Sequence, residues 1–322
     1  MTTLSVCIAS MNRLNELTEV VQNLLSSSEG LDVEVVVADA SPAGEQLSIE
    51  HERLRVVLLD RPNGVDNDYS TAIENASGLY CWLFTDDDRP DPDCVRRILE
   101  QIKLSVEPLS LLLVDARVVT PDNVPLLESM LPMDFPGRLE AGAGAREFVG
   151  AKELLTFIGS VVVRRSLWLE RYSSAYVGSE FRHVGLLLSA PLPGPTVVLG
   201  PAITVKYGVA HWESRAVRVW TKQWPSVIRE SVHDRTLWSQ YFATSLLRQC
   251  YSLLTFRARK LLSSENCSEA FPDETRPRVR SAFKLISKCP IGIARVAVLG
   301  TAVITRSDTR QLRFDLRRAI RL

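Results

Sequence analysis

The sequence predicts an α/β fold, a mostly parallel, doubly wound sheet with a helical C-terminal extension. Three observations carry that prediction. Short apolar runs recur through the first 120 residues without strict alternation, as expected of strands covered on both faces. Segments of helical period separate these runs, and such alternation favours parallel pairing through helical crossovers. From about residue 215 the strand signals stop and the chain turns helical and basic.

Leu4–Ala9 is the first apolar run. Leu14, Leu17, Val21, Leu24 and Leu25 then fall at helical spacing. Val33–Ala38 and Leu54–Leu59 give the next two strands. Asn67–Ala76 is read as a helix stopped at Gly78, followed by a strand over Leu79–Phe84. Pro92–Leu104 is read as a helix with proline in its first turn, and Leu109–Val114 as a fifth strand. Residues 120–150, rich in Pro, Gly and Asp, read as a loop or flap; Phe157–Arg164 reads as a further strand and 191–201 as a turn-rich connection.

With 322 residues and 46% apolar content the chain can bury a large core. Its net charge is zero, but residues 275–322 hold 12 Lys/Arg against two acidic residues, which leaves the other 274 residues at −10. A basic tail on an acidic body suggests an anionic partner, or a solvated tail that packs on that body. Over Thr309–Leu322, Leu312, Leu316, Ala319 and Ile320 share one helical face, flanked by Arg310, Arg313, Arg317, Arg318 and Arg321. This pattern suits an anionic bilayer surface. No nucleic-acid-binding motif is visible, so nucleic acid is not the expected partner. The six cysteines show no metal-ligand spacing and read as reduced thiols, and the N-terminus carries no signal-peptide pattern. The expected location is cytoplasmic, peripheral on the cytoplasmic face of a membrane.

In open α/β sheets ligands bind beyond the carboxyl ends of the strands, which directs attention to three segments. Thr85-Asp86-Asp87-Asp88 follows the fourth strand. Adjacent carboxylates repel one another, and a hard cation such as Mg²⁺ or Mn²⁺ relieves that repulsion; an acidic turn ending in a helix cap is the plainer reading. Asp39 ends the second strand, where it can accept from a base N–H or a ribose hydroxyl, or close an Asx-turn. Ser10-Met11-Asn12-Arg13 follows the first strand; its backbone N–H groups can meet phosphate or ribose, or Ser10 or Asn12 can cap the helix. GxGxxG and P-loop patterns are absent, which argues against dinucleotide and P-loop sites.

In order, Ser5–Arg13, Asp39-Ala-Ser41, Asn63-Gly64, Ala76-Ser-Gly78-Leu-Tyr80 and the acidic run resemble the family 2 glycosyltransferases, inverting enzymes of the GT-A fold. Gly64-Val-Asp66-Asn-Asp68-Tyr69, Tyr80-Cys-Trp82, Phe157-Ile-Gly-Ser160 and Gly178–His183 resemble the abequosyltransferase-like subgroup. The resemblance implies transfer of a hexose or deoxyhexose, with inversion, from a nucleotide-diphosphate sugar to a saccharide acceptor, free or lipid-linked. It implies that Ser10, Asn12, Arg13, Asp39 and Asp66 lie beside the donor nucleoside and diphosphate. Asp86, Asp87 and Asp88 would form the DxD-type motif, with Asp87 and Asp88 on the metal and Asp86 and Asp88 at ribose or diphosphate. Thr85 stands where most relatives have Asp. The base is expected at Glu180 or His183, whose i, i+3 spacing would put both on one helix face. Two rivals are a sugar nucleotidyltransferase and a non-catalytic nucleotide-sugar or saccharide binder. The expected division is a nucleotide-sugar half (1–115), an acceptor half (116–210) and a helical basic region (211–322). His211-Trp212 and the pair Trp220 and Trp224 are weaker sugar-stacking candidates, with the core as the favoured place for the tryptophans.

Overall fold

The computed structural model describes residues 2–206, 215–274 and 276–305. The chain divides into two compact units, one of residues 1–119 and 128–206, the other of residues 120–127 and 207–322. The first unit holds strands from both of the halves expected of one domain, 1–115 and 116–210, in a single sheet.

That sheet is built from β1 (Leu4–Ser10), β2 (Val33–Asp39), β3 (Leu54–Leu58), β4 (Tyr80–Phe84), β5 (Arg89–Pro90) and β6 (Leu111–Val119), and β7 (Pro125–Leu127) is a short strand of the second unit. β8 (Arg138–Leu139), β9 (Val161–Arg164) and β10 (Thr196–Lys206) complete the first. Strand order is β3-β2-β1-β4-β9-β6-β10-β5. β3, β2, β1 and β4 run parallel, β9 runs antiparallel to both β4 and β6, and β6 is parallel to β10. The run from Tyr80 to Phe84 is buried at every position, as are six of the seven residues of β1. Such strands expose no face to water, so polar chemistry is left to their ends.

The helices of this unit are α1 (Leu14–Ser27), α2 (Val65–Glu74), α3 (Cys94–Leu104), α4 (Lys152–Leu155), α5 (Arg165–Glu170) and α6 (Arg182–Leu188). α1 buries Leu17, Val20, Val21, Leu24 and Leu25, the face set by its apolar spacing. α2 begins two residues earlier than the sequence suggests, because Gly64 at φ 87° turns the chain into it. α3 begins after Pro92, with Asp93 at its N-cap, so the proline precedes the first turn instead of lying in it. The expected strand 157–164 is half turn: Ile158–Ser160 is a 3₁₀ turn and only Val161–Arg164 is extended. The connection 191–201 is strand from Thr196 onward; Pro201 is tolerated there because the pairing with β6 slips between Leu199 and Ile203.

Two contacts explain motif residues near β4. A Cβ on Gly78 would lie 2.5 Å from Ser5 Oγ and 2.7 Å from Ser5 N, so only glycine lets the chain enter β4 this close to β1. Trp82 Nε1 donates to Gly159 O at 2.7 Å, which ties the centre of β4 to the 3₁₀ turn before β9.

The second unit is helical after its short first segment. α7 (Ala216–Arg218) leads through a π turn at Val219–Gln223 into α8 (Trp224–Ser231), followed by α9 (Trp238–Tyr241), α10 (Leu246–Ala258), α11 (Pro277–Lys288) and α12 (Ile291–Thr305). Pro225 has no N–H to return to the preceding turn, which accounts for the wider π geometry there. Val217, Leu253, Phe256, Leu262, Phe271 and Phe283 form its core. Trp220 and Trp224 sit edge to face with centroids 6.2 Å apart, and Trp224 Nε1 donates to Tyr241 O, so this pair is used in packing. His211-Trp212 and the amphipathic segment 309–322 lie outside the described residues. No helix among the described residues is long and apolar enough to cross a membrane.

Candidate active site

β1, β2 and β4 end at the same edge of the sheet: Ser10 is in register with Asp39, and Ile8 with Phe84. The acidic run therefore emerges beside the end of β1. Ser10 Oγ donates to Asp86 Oδ2 at 2.7 Å, and Arg13 Nη1 lies 2.6 Å from Asp86 Oδ1 and 3.0 Å from Asp87 Oδ2. Thr85 Oγ1 donates to Asp88 Oδ2. Tyr69 on α2 donates to Phe84 O at 2.8 Å and so fixes the residue just before the run. Burial lifts the Asp86 carboxyl above its ordinary value, while Ser10 and Arg13 hold it down. Asp88 is pushed up to about 8, by burial first and by the charge of Asp87 second.

Asp39 is fully buried. Its Oδ1 accepts from Ser41 N at 2.9 Å and its Oδ2 from Leu47 N at 3.0 Å, so the Asx-turn reading of this residue describes its geometry. Neither Ser10 nor Asn12 caps α1. Arg13 is the N-cap residue without a side-chain cap bond, Ser10 is committed to Asp86, and Asn12, at φ 59°, donates its N–H to Ser41 Oγ. The Asn12 amide expected to meet phosphate is thus engaged with Ser41.

The second group of candidates comes together at the start of α6. Asp66, in the first turn of α2, is 6% exposed and accepts from Glu180 N at 2.9 Å and Arg182 N at 3.1 Å. Burial raises its carboxyl while these N–H groups lower it. Asp66, which the resemblance would put beside the nucleoside, clamps the turn that carries Glu180. Arg182, which sequence reasoning passed over, completes the clamp: its Nη1 donates to Ser70 Oγ at 2.8 Å, and its guanidinium lies 4.0 Å from the centroid of the Tyr172 ring. An arginine one residue beyond Phe181 in an apolar stretch was the available signal.

Glu180 and His183 do not share a helix face. α6 starts at Arg182 with Phe181 as its N-cap, and Glu180 stands before it in the left-handed region at φ 67°. Helical spacing does not apply to a residue outside the helix. Glu180 is partly exposed, whereas His183 is 2% exposed and its Nε2 lies 2.8 Å from Leu155 O. A carbonyl only accepts, so Nε2 carries the proton, and burial lowers the imidazole pKa to about 4. The His183 ring is thus neutral and enclosed, whereas Glu180 is partly exposed ahead of the helix.

Among the described residues, no group of three or more His, Cys, Asp or Glu side chains converges on a metal-binding point. Asp86 is turned to Ser10 and Arg13, and Asp88 to Thr85. The donor set nonetheless fits a hard divalent cation in chemistry: oxygen ligands only, on three successive carboxylates, one of them raised by burial first and by the charge of Asp87 second.

The segment 5–114, which spans β1 through the start of β6 and contains the whole acidic cluster, matches the model for Glycosyl transferase family 2. It is a family 2 glycosyl transferase domain. Among curated proteins, this chain is similar to abequosyltransferase RfbV of Salmonella typhimurium, 22% identical over 58% of this chain and 60% of that protein. It is also similar to the succinoglycan biosynthesis protein ExoO of Rhizobium meliloti, 27% identical over 42% of this chain and 41% of that protein. The match thus spans less than two thirds of each. Among solved structures, TarS 1-349 of S. aureus superposes with a TM-score of 0.54 at 14% identity, covering 89% of this chain and 90% of that one. Its complex with UDP-GlcNAc gives 0.51 at 12% identity, covering 89% and 91%. The family 2 domain and the first unit therefore have the GT-A fold expected from the sequence.

Two outcomes follow from these contacts. Asp66→Asn removes one of two acceptor oxygens, so hydrogen exchange at the Glu180 and Arg182 amides should rise, with a stability loss of about 2 kcal/mol by chemical denaturation. Unchanged exchange at both amides would contradict the clamp. His183 binds its proton in the unfolded chain at pH 6.5 but in the folded chain only near pH 4. Its contribution is nil above pH 6.5 and turns destabilising as pH falls through that window, by about 2 kcal/mol at pH 5. His183→Gln should therefore lose less stability than the wild type between pH 7 and pH 5.

Proposed function

We propose that the chain is an inverting glycosyltransferase that moves a hexose or deoxyhexose from a nucleotide-diphosphate sugar to a hydroxyl of a saccharide acceptor, free or lipid-linked. The observation that carries this reading is the hydrogen-bonded cluster of Ser10, Arg13, Asp86 and Asp87 at the carboxyl ends of β1 and β4, inside a family 2 domain. Anionic ligands and their counter-cations bind at such strand ends.

In this reading Ser10, Asn12, Arg13 and Asp39 border the nucleotide, and Asp86 and Asp88 meet its ribose or diphosphate. Asp87 and Asp88 hold Mg²⁺ or Mn²⁺. When bound, the cation neutralises charge that builds on the departing diphosphate. Glu180 takes the proton of the acceptor hydroxyl as that oxygen bonds to the anomeric carbon. The bond from that carbon to the diphosphate breaks on the opposite face, and its electron pair leaves with the nucleotide. Arg13 adds a second positive charge on the leaving-group side. The cytoplasmic face of a membrane is the proposed setting, with residues 275–322 supplying the basic surface.

Thermal stability measured against UDP-, GDP-, CDP- and dTDP-sugars with Mn²⁺ tests the donor site. One nucleotide class should raise Tm in a metal-dependent way, and Asp87→Ala should abolish the rise. A donor effect untouched by Asp87→Ala would remove the acidic run from the site. With the donor so identified, Glu180→Gln should lower kcat by at least a hundredfold with the donor KM held within about twofold. Full activity of that variant would end its assignment as base.

A further inference from the structure

Arg13 does more in this arrangement than border a nucleotide. One guanidinium nitrogen touches two consecutive carboxylates, at 2.6 Å to Asp86 and 3.0 Å to Asp87, and its side chain is only 15% exposed. Its Nε is buried without a hydrogen-bond partner among the described residues. Asp87 is also one of the two residues proposed to hold the metal. A guanidinium and a divalent cation cannot both sit against the same face of these two carboxylates, because like charges at contact distance repel.

We propose that Arg13 is an internal placeholder for the divalent cation: it neutralises Asp86 and Asp87 while no donor is present and gives up Asp87 only when a nucleoside diphosphate arrives to receive it. This deepens the donor-site reading above and rests on it. The exchange is favourable only as a set. A cation alone must break the charge-assisted contact to Asp87 and sit beside a guanidinium that has no new anion to turn to. A diphosphate arriving with the cation offers that arginine an anionic oxygen, and the free Nε supplies a second donor for a forked contact. The cation and the nucleotide therefore bind as partners, and the protein does not load metal by itself at concentrations where the pair binds well.

Isothermal titration tests this with Mn²⁺ alone, with UDP, GDP, CDP or dTDP alone, and with each nucleotide at saturating Mn²⁺. Wild type should bind Mn²⁺ alone at least tenfold more weakly than in the presence of its best nucleotide. Arg13→Gln, folded by circular dichroism, should bind Mn²⁺ alone about tenfold more tightly than wild type and the nucleotide with Mn²⁺ more weakly. These shifts are opposite in sign, which general damage to the site does not produce. Arg13→Lys keeps the charge without the fork and should fall between the two. Arg89→Gln removes a neighbouring cation that is paired with Glu19 and should leave Mn²⁺ affinity within about twofold. If Arg13→Gln and wild type bind Mn²⁺ alone equally, or Arg89→Gln tightens it as much, the placeholder fails while the metal site stands. If Mn²⁺ binds no variant with any nucleotide, the metal reading fails and the placeholder with it.

Discussion

Three carboxylates leave the end of β4 in succession, at a depth where water screens them poorly, and the surrounding chain is arranged about that charge. Ser10 and Arg13 come from the end of β1, Tyr69 comes from α2 to hold Phe84, and Thr85 turns its hydroxyl onto Asp88. The Ser10 and Arg13 contacts depend on the parallel register of β1 with β4, which brings the two strand ends to one edge. The buried strands make this arrangement necessary as well as available. With both faces covered, the carboxyl edge is where the sheet can hold polar chemistry.

The second constraint runs between segments far apart in sequence. Asp66 is 114 residues from Glu180, yet its carboxylate takes the two N–H groups that bracket the turn before α6. A short helix with a left-handed residue before it has little to stabilise it locally, since nucleating one turn is unfavourable and φ near 67° is strained for a glutamate. The buried carboxylate and the Arg182 contact with Ser70 offset that cost. The position of Glu180 is thus set from α2, an element that also anchors the acidic run through Tyr69. One helix steadies both groups proposed to act on the donor and the acceptor.

Two of the candidate residues also carry bonds that hold the fold. Asp39 closes a turn with both oxygens, and His183 is enclosed with a backbone carbonyl as its partner. These uses share a physical reason. A polar group at a buried strand end or helix needs partners whether or not a ligand is bound, and backbone N–H and C=O groups are the nearest supply. Residue type and strand-end position flag such groups, but they do not separate a turn-former from a ligand contact.

The sequence by itself determined the class of fold, the order of the elements and the acidic edge, because those rest on short-range patterns: apolar runs buried on both faces, helical spacing, and charge placed at a strand's end. It also carried the family likeness over 5–114, since that is a matter of ordered motifs. It did not determine that β9 runs backwards between β4 and β6, that Thr196 to Lys206 is a strand through a proline, or that Glu180 lies outside the helix carrying His183. Nor did it show Arg13 bridging Asp86 and Asp87, or Asp66 holding Glu180. Those features come from pairings between segments tens to more than a hundred residues apart. Their geometry follows from which strand ends and helix starts the sheet brings together, and no local pattern encodes it.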